Sequence, residues 1–280
     1  MPLRLSVHTP PTVEPIHLTD AKLHLRLATT AADAALYTDE DSVLSAHIAA
    51  ARMVAEIETW KALVLRTYDL YLDEWPCSDI DLPMPPLRAV DSITYTTSDG
   101  VEHTVASTEY VLDTVSHPGR LALGYDKEWP TDELNTTNPV RIRYRAGYVV
   151  PFTVNYTSDV ITALNHPFSD GDVVRLSVSG GALPVGLNVN TDYYVRDAAA
   201  STLKLSATLG GAAVDISSAG TGQFFLGEIP PTTIIGMKLV ITDLYEERGD
   251  TVFTRQGLAP AQLPRAASHH FSMDSVRVPW

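Results

Sequence analysis

Several groups of side chains in this 280-residue sequence are of types that chemistry uses, and their spacing decides what each is for. Asp39-Glu40-Asp41 sets three carboxylates side by side, as a general acid and base would need. They follow Thr38 and open an Ala-rich segment of apolar periodicity, so capping and the helix dipole account for them without catalysis. His166 with Asp170 and Asp172 offers metal-type ligands, yet Asp170-Gly171-Asp172 has the spacing of a hairpin turn and not the ligand-rich loop of a calcium site. His269-His270 are neighbours in a stretch read as extended, where adjacent side chains point to opposite sides and cannot easily share one ion. Ser177 and Ser179 lack a nucleophile-elbow context, and Gly180-Gly181 belongs to no phosphate-binding fingerprint. The reading therefore assigns no catalytic residue, no cofactor and no metal site. Cys77, the only cysteine, forms no intrachain disulfide and is read as a buried or neutral thiol.

Other residues point to contact instead of catalysis. Arg141, Arg143 and Arg145 alternate, so on a strand they line one face, where they meet acids of a neighbouring subunit or form a solvated edge. Asp250 to Trp280 holds Pro260, Pro264 and Pro279 with little periodicity, which predicts an extended arm that orders on another surface. Phe271, Val276, Val278 and Trp280 are its apolar docking candidates, because aromatic and aliphatic anchors dominate interface energy.

The elements that would position these residues follow from local pattern. Thr19 and Asp20 start a short helix through Leu27, and Thr38 starts a longer one running to Trp60. From Leu65 the period changes to two, with strands at Thr67 to Asp73, Val90 to Tyr95, Val101 to Val105, Tyr110 to Asp113, Arg120 to Leu123 and Val140 to Tyr144. Past Pro151 the composition shifts to Val, Thr, Ser, Gly, Asn and Asp. Candidate strands at Val173 to Val178, Tyr193 to Arg196, Thr202 to Leu205 and Gln223 to Leu226 have the spacing of a small sandwich. A third helix is predicted from Pro231 to Arg248.

Composition bounds the function classes. With 34 acids against 20 Lys and Arg the formal charge is −14, which argues against gripping a phosphate backbone. The same balance suits a wall past which DNA slides without sticking. MPLRLSVHTPPTVEPIHL lacks the apolar core of a signal peptide, and no apolar run approaches the roughly 18 residues of a membrane span. Synthesis and assembly in a cytoplasm, without a membrane partner, are expected.

Leu18-Thr19-Asp20-Ala21-Lys22-Leu23-His24-Leu25-Arg26, then Asp39-Glu40-Asp41 opening an Ala-rich helix, resembles the head-tail connector (adaptor) family of tailed bacteriophages. Trp75-Pro76, Leu82-Pro83, Pro86-Leu87, Asp99-Gly100, Trp129-Pro130 and Val140 to Tyr148 are similar to that family's successive signatures, so the resemblance spans roughly residues 14 to 150. Typical members pass almost directly from the Ala-Gly-Tyr segment into a helix ending in a Tyr-Glu-x-Arg-like sequence, here Pro231 to Arg248. The intervening stretch departs from that pattern and reads as an insertion resembling the Ig-like modules of phage structural proteins. The resulting expectation is an α+β fold: a discontinuous helical connector core with a small antiparallel sheet over residues 1–151 and 229–249, an inserted all-β Ig-like sandwich over 152–228, and an extended arm over 250–280.

What the resemblance implies is a structural, non-enzymatic virion protein of the neck, assembled in the host cytoplasm. It would form a homo-oligomeric ring of twelve copies below the portal protein, bind downstream connector or tail proteins, and pass genomic DNA through its lumen without specific binding. The arm would dock on the portal or on a neighbouring subunit. The alternative is a host-surface carbohydrate-binding module in the insert, using Tyr193 and Tyr194.

Overall fold

The computed structural model describes residues 4–246, 251–254, 257–260 and 264–276, of which 251–254 and 257–260 are described by their backbone. The chain is α+β, its sheets are antiparallel, and it divides into two compact units. One comprises Met1–Thr12, Trp60–Tyr148 and Val276–Trp280, the other Val13–Thr59 and Val149–Ser275.

The first unit is built from strands. They are β1 (Arg4–Thr9), β2 (Arg66–Leu72), β3 (Ile80–Leu82), β4 (Leu87–Thr96), β5 (Glu102–Thr104), β6 (Tyr110–Asp113), β7 (Gly119–Leu123) and β8 (Val140–Ala146). Five form a sheet of order β1-β2-β8-β4-β5, and three a smaller sheet of order β3-β7-β6. β8 is central and alternates strictly: Val140, Ile142, Tyr144 and Ala146 are buried, and the arginines between them face the other way. That period of two is the mark of a strand with one face on the core. Tyr144 stacks on Tyr68 at 5.5 Å between centroids and donates its hydroxyl to the Pro83 carbonyl at 2.8 Å. A buried tyrosine needs such an acceptor. The small sheet packs closely on β4: a Cβ placed on Gly119 would lie 2.4 Å from the Leu87 Cβ, so only glycine fits there.

The second unit carries all five helices found among the described residues: α1 (Leu18–His24), α2 (Ala31–Leu36), α3 (Asp41–Thr59), α4 (Pro231–Glu246) and α5 (Arg265–Asp274). Its strands are β9 (Val150–Asn155), β10 (Val160–Thr162), β11 (Val173–Val174), β12 (Leu176–Ala182), β13 (Tyr193–Arg196), β14 (Thr202–Ser206) and β15 (Thr221–Leu226), with a hairpin of β16 (Thr251–Thr254) and β17 (Gly257–Pro260) between α4 and α5. α3 buries Leu44, Ile48, Ala51 and Ala55, spaced along one face, and packs on α1, α4 and α5.

Three expectations are corrected here. The predicted two-layer sandwich is instead one seven-stranded sheet of order β11-β13-β14-β10-β9-β15-β12. Its two end strands are separated in sequence by Arg175 alone, so the sheet curls until its ends meet, forming a near-barrel around Ile161, Leu176, Val195, Leu203 and Leu205. Near-closure removes the open edges of a flat sheet. The predicted extended arm is helical over Arg265–Asp274, because Pro264 occupies the N-cap, where proline's missing N–H costs nothing. The first helix starts at Leu18 with His17 as its N-cap, and not at Thr19: His17 Nδ1 accepts from the Thr19 N–H at 3.2 Å.

Candidate functional site

The alternating arginines of β8 do share one face, and each meets an acid on a strand of its own sheet. Arg143 grips Asp69 of β2 with two hydrogen bonds of 2.8 Å. Arg145 reaches Asp91 of β4 at 2.8 Å, and Arg141 reaches Glu102 of β5 at 3.3 Å. Because β8 is central, its arginines stand between two flanking strands that both supply carboxylates, so they are not a solvated edge. Asp69 is the most enclosed of the three acids, its side chain 5% exposed. The Arg143 guanidinium holds its carboxyl below the usual range, and Asp69 raises Arg143 in return. His8 of β1 adds a ring nitrogen 3.1 Å from Arg143.

In the second unit, α1 is tied to the barrel-like sheet. Ser179 of β12 donates its hydroxyl to Asp20 Oδ2 at 2.6 Å, and the Gly180 N–H donates to the same oxygen at 3.0 Å. The His17 N–H donates to Ser179 Oγ at 2.8 Å. Gly180 has φ +76°, and a Cβ on it would lie 2.2 Å from His17 Nδ1, so this approach requires glycine. The Ser179 hydroxyl thus faces a carboxylate and a backbone N–H, a tie between elements and not a nucleophile with its base. Beside it lies a cleft of about 530 Å³, lined by Ile16, Phe225, Ile229 and Ile234 with Asp20, Glu228 and Lys238 among them. The sequence carries no local signal that joins Asp20 and Ser179 across 159 positions.

The helices are locked together by charged side chains. Lys22 is 3% exposed, and its ammonium donates to the Ala34 carbonyl at 2.8 Å and to the Tyr37 carbonyl, with Asp41 at 2.6 Å. Glu40 accepts from Tyr245 of α4 at 2.6 Å, which pushes the tyrosine hydroxyl up to about 12, and from Tyr37 at 3.3 Å. Arg52 joins Glu14 at 2.7 Å and Glu56 at 2.9 Å. Glu40 and Asp41 therefore join elements as well as opening a helix.

The remaining candidates fall in turns and cores. His166 is buried, with Nδ1 accepting from the Phe168 N–H at 3.3 Å; Asp172 accepts from the Ser169 N–H at 2.8 Å and Asp170 from the Ala198 N–H at 2.8 Å. His269 and His270 stand on α5 and not on an extended segment, their ring centroids 6.2 Å apart. Among the described residues no cluster of three His, Cys, Asp or Glu side chains is placed to hold a metal ion. Tyr193 is 3% exposed, its hydroxyl accepting from the Asn188 N–H at 2.9 Å, which corrects its reading as an exposed sugar-stacking ring. Phe271 is fully buried on α5, against α4, and so is a core residue and not a docking anchor. Val276 is half-buried, and Val278 and Trp280 lie outside the described residues.

No family model matches the chain, and no curated protein sequence matches it. Two solved structures are similar in fold over nearly the whole length. A chain of the virion of a native gene transfer agent (GTA) particle aligns with a TM-score of 0.54 at 19% identity, over 99% of this chain and 97% of that one. A chain of the neck of an empty GTA particle, computed with C6 symmetry, aligns with a TM-score of 0.54 at 18% identity, over 98% of this chain and 97% of its own.

Proposed function

We propose that this chain is a structural subunit of the neck of a phage-like particle, a head-tail connector without enzymatic activity. The observation that carries the reading is the end-to-end fold likeness to a neck chain, which leaves neither protein with a large unmatched segment. The connector-like motifs between residues 14 and 150 point the same way from the sequence side.

In this reading the subunits form a homo-oligomeric ring of twelve below the portal, with tail-side proteins beneath and DNA passing through the lumen. The charge of −14 suits the lumen, since an acidic wall repels the phosphate backbone and shortens its residence there. The segment 152–228 is an insertion into the connector core. Val276, Val278 and Trp280, following the last helix, dock on the portal, whereas Phe271 does not. Arg141, Arg143 and Arg145, already paired within the sheet, contribute to subunit contacts only if they exchange partners.

Size-exclusion chromatography with light scattering tests this on the full chain, alone and mixed with portal rings from the same particle. A portal-dependent shift to a ring-sized complex, weakened by deleting residues 277–280, is the expected result. A chain that stays monomeric and ignores the portal overturns the assignment.

A further inference from the structure

Three backbone segments of the first unit are tied together at one place. The Ala62 N–H donates to the Pro85 carbonyl at 3.0 Å, the Gly147 N–H to the Pro86 carbonyl at 3.0 Å, and the Tyr148 N–H to the Ala62 carbonyl at 3.1 Å. These ties gather Lys61, Arg88 and Tyr148. The Lys61 ammonium stands 5.4 Å from the centroid of the Tyr148 ring. Arg88 donates from Nε to the Gly147 carbonyl at 2.8 Å and from Nη2 to the Tyr148 carbonyl at 2.9 Å. The packing of Gly119 on Leu87 sets the His117 loop beside them, and burial together with the charges of Lys61 and Arg88 lowers His117 below its ordinary value.

What this cluster lacks is an acid. Arg4, Arg120, Lys127, Arg141, Arg143 and Arg145 of the same unit each meet a carboxylate. Among the described residues Lys61 and Arg88 meet none, in a chain with 34 acids against 20 Lys and Arg. Both are half-buried. A cation held partly out of water without a counter-charge costs free energy, which an incoming anion recovers.

We infer that Lys61 and Arg88, gathered at Tyr148, form a binding site for a carboxylate on an acidic segment of a partner protein. The inference goes beyond the neck reading and stands on the first unit alone.

The guanidinium fits that ligand. Carbonyls occupy its Nε–Nη2 edge, which leaves the Nη1–Nη2 edge with two parallel N–H groups at the spacing of carboxylate oxygens. The carbonyl grip fixes the plane of the fork before a ligand arrives, so less order is lost on binding. Lys61 supplies a second cation over the same tyrosine. The adjoining Trp60 and Met84 hold φ +56° and +60°, the left-handed region that bulky residues avoid. Such strained backbone clusters at ligand sites.

Charge selects the partner. A nucleic acid presents phosphates at every step and meets the field of a chain carrying −14, which two cations do not offset. A short acidic segment places its charge at the cluster alone, and acids more than about 10 Å away are screened in ordinary buffer. Two copies carrying −14 repel, so the segment belongs to a different protein.

The test is titration calorimetry of the full chain at low ionic strength with a peptide bearing adjacent glutamates in a glycine–serine background. The same peptide with glutamines, and inorganic phosphate, are separate titrants. Binding of the glutamate peptide but not the glutamine peptide, weakened roughly tenfold by Lys61→Gln and by Arg88→Lys, supports the inference. Arg88→Lys keeps the charge and loses the fork. Should it fail to fold by circular dichroism, Lys61→Gln decides, since the Lys61 side chain makes only the ring contact. No binding of the glutamate peptide, or equal binding by both variants, overturns the site. Phosphate that binds more tightly than the peptide overturns the choice of ligand. Self-association in sedimentation velocity that Lys61→Gln abolishes makes a second copy the source and overturns the choice of partner.

Discussion

The ring of Phe271 on α5 lies directly over Gly236 of α4: a Cβ at position 236 would sit 2.5 Å from Phe271 Cε1. This contact is what joins the C-terminal helix to the helix before it, together with Thr233, which donates to Asp274 at 2.8 Å, and Thr232, which donates to the same carboxylate.

Gly236→Ala should therefore destabilise the protein. Alanine normally favours a helix by about 1 kcal/mol over glycine, but overpacking against a buried ring costs about 1–3 kcal/mol, and the collision wins. Phe271→Ala should cost about 3–5 kcal/mol, as a large aromatic removed from a core does. Urea denaturation of both variants checks this. A Phe271→Ala variant with wild-type stability and impaired portal binding would restore the docking role that its burial excludes.

The arginine ladder of β8 should respond unequally to substitution. Arg143→Met strands Asp69, whose side chain is 5% exposed, at a cost of about 1–3 kcal/mol. Arg141→Met breaks a pair with Glu102, whose side chain is 58% exposed, and should cost less than about 1 kcal/mol. Equal losses in denaturation would mean that enclosure does not set the strength of these pairs.

The same pair fixes a pH dependence. The folded carboxyl of Asp69 titrates below its unfolded value because Arg143 hydrogen-bonds its charged form. Its contribution is thus present above the unfolded carboxylate value of about 3.9 and is lost as pH falls through the lower folded value. In Arg143→Met the carboxyl loses that support and burial raises it, so the stability that Asp69 supplies near neutral pH should be lost, and the deficit of the variant should shrink as pH falls and Asp69 becomes protonated in both proteins. Melting temperatures between neutral pH and strong acid, wild type against variant, would show the convergence; a difference that stays constant at every pH would refute it.

Lys22 gives a fourth prediction. Its ammonium satisfies two carbonyls near the end of α2 and pairs with Asp41 at the start of α3, so one buried cation fixes the path from α1 to α3. Lys22→Met leaves the carbonyls and the carboxylate without their donor and should cost about 2–4 kcal/mol. Adding Asp41→Asn should recover part of that loss, which a double-mutant cycle measures.

How much of this was legible depends on range. β8 and β2 were, because alternation over seven residues is local and an exposed-to-core period of two announces itself. α3 and α4 were, through their length and periodicity. α2 was not, since six residues make fewer than two turns and show no stripe. Val173 to Val178 read as one strand, yet Arg175 divides it between opposite ends of the sheet, and only strand order around the closing barrel reveals that. The prolines at 260 and 264 suggested an extended arm, where one of them in fact starts a helix. For the candidate surfaces, the common face of Arg141, Arg143 and Arg145 could be read directly, but their partners at 69, 91 and 102 depend on the strand order of the sheet. Phe271 was picked out for its apolar character, which interface anchors and core residues share.

The tie between α1 and β12 yields the last prediction, and it is one of coupling. Asp20 Oδ2 accepts from both the Ser179 hydroxyl and the Gly180 N–H, while Ser179 Oγ accepts from the His17 N–H. Ser179→Ala deprives the His17 N–H of its acceptor and Asp20 of one donor, a loss of about 1–3 kcal/mol for a part-buried group. Asp20→Ala removes the acceptor of two donors and should cost a similar amount. Because both changes dismantle one network, the double variant should fall short of the sum by about 0.5–3 kcal/mol. Gly180→Ala should be worse than either alone, since φ +76° strains any side chain there and the new Cβ meets the His17 ring at 2.2 Å. Hydrogen exchange along Leu18–His24 and Leu176–Ala182 would locate the damage. Strict additivity, or protection lost in one element and not in the other, would show that α1 and β12 stand independently.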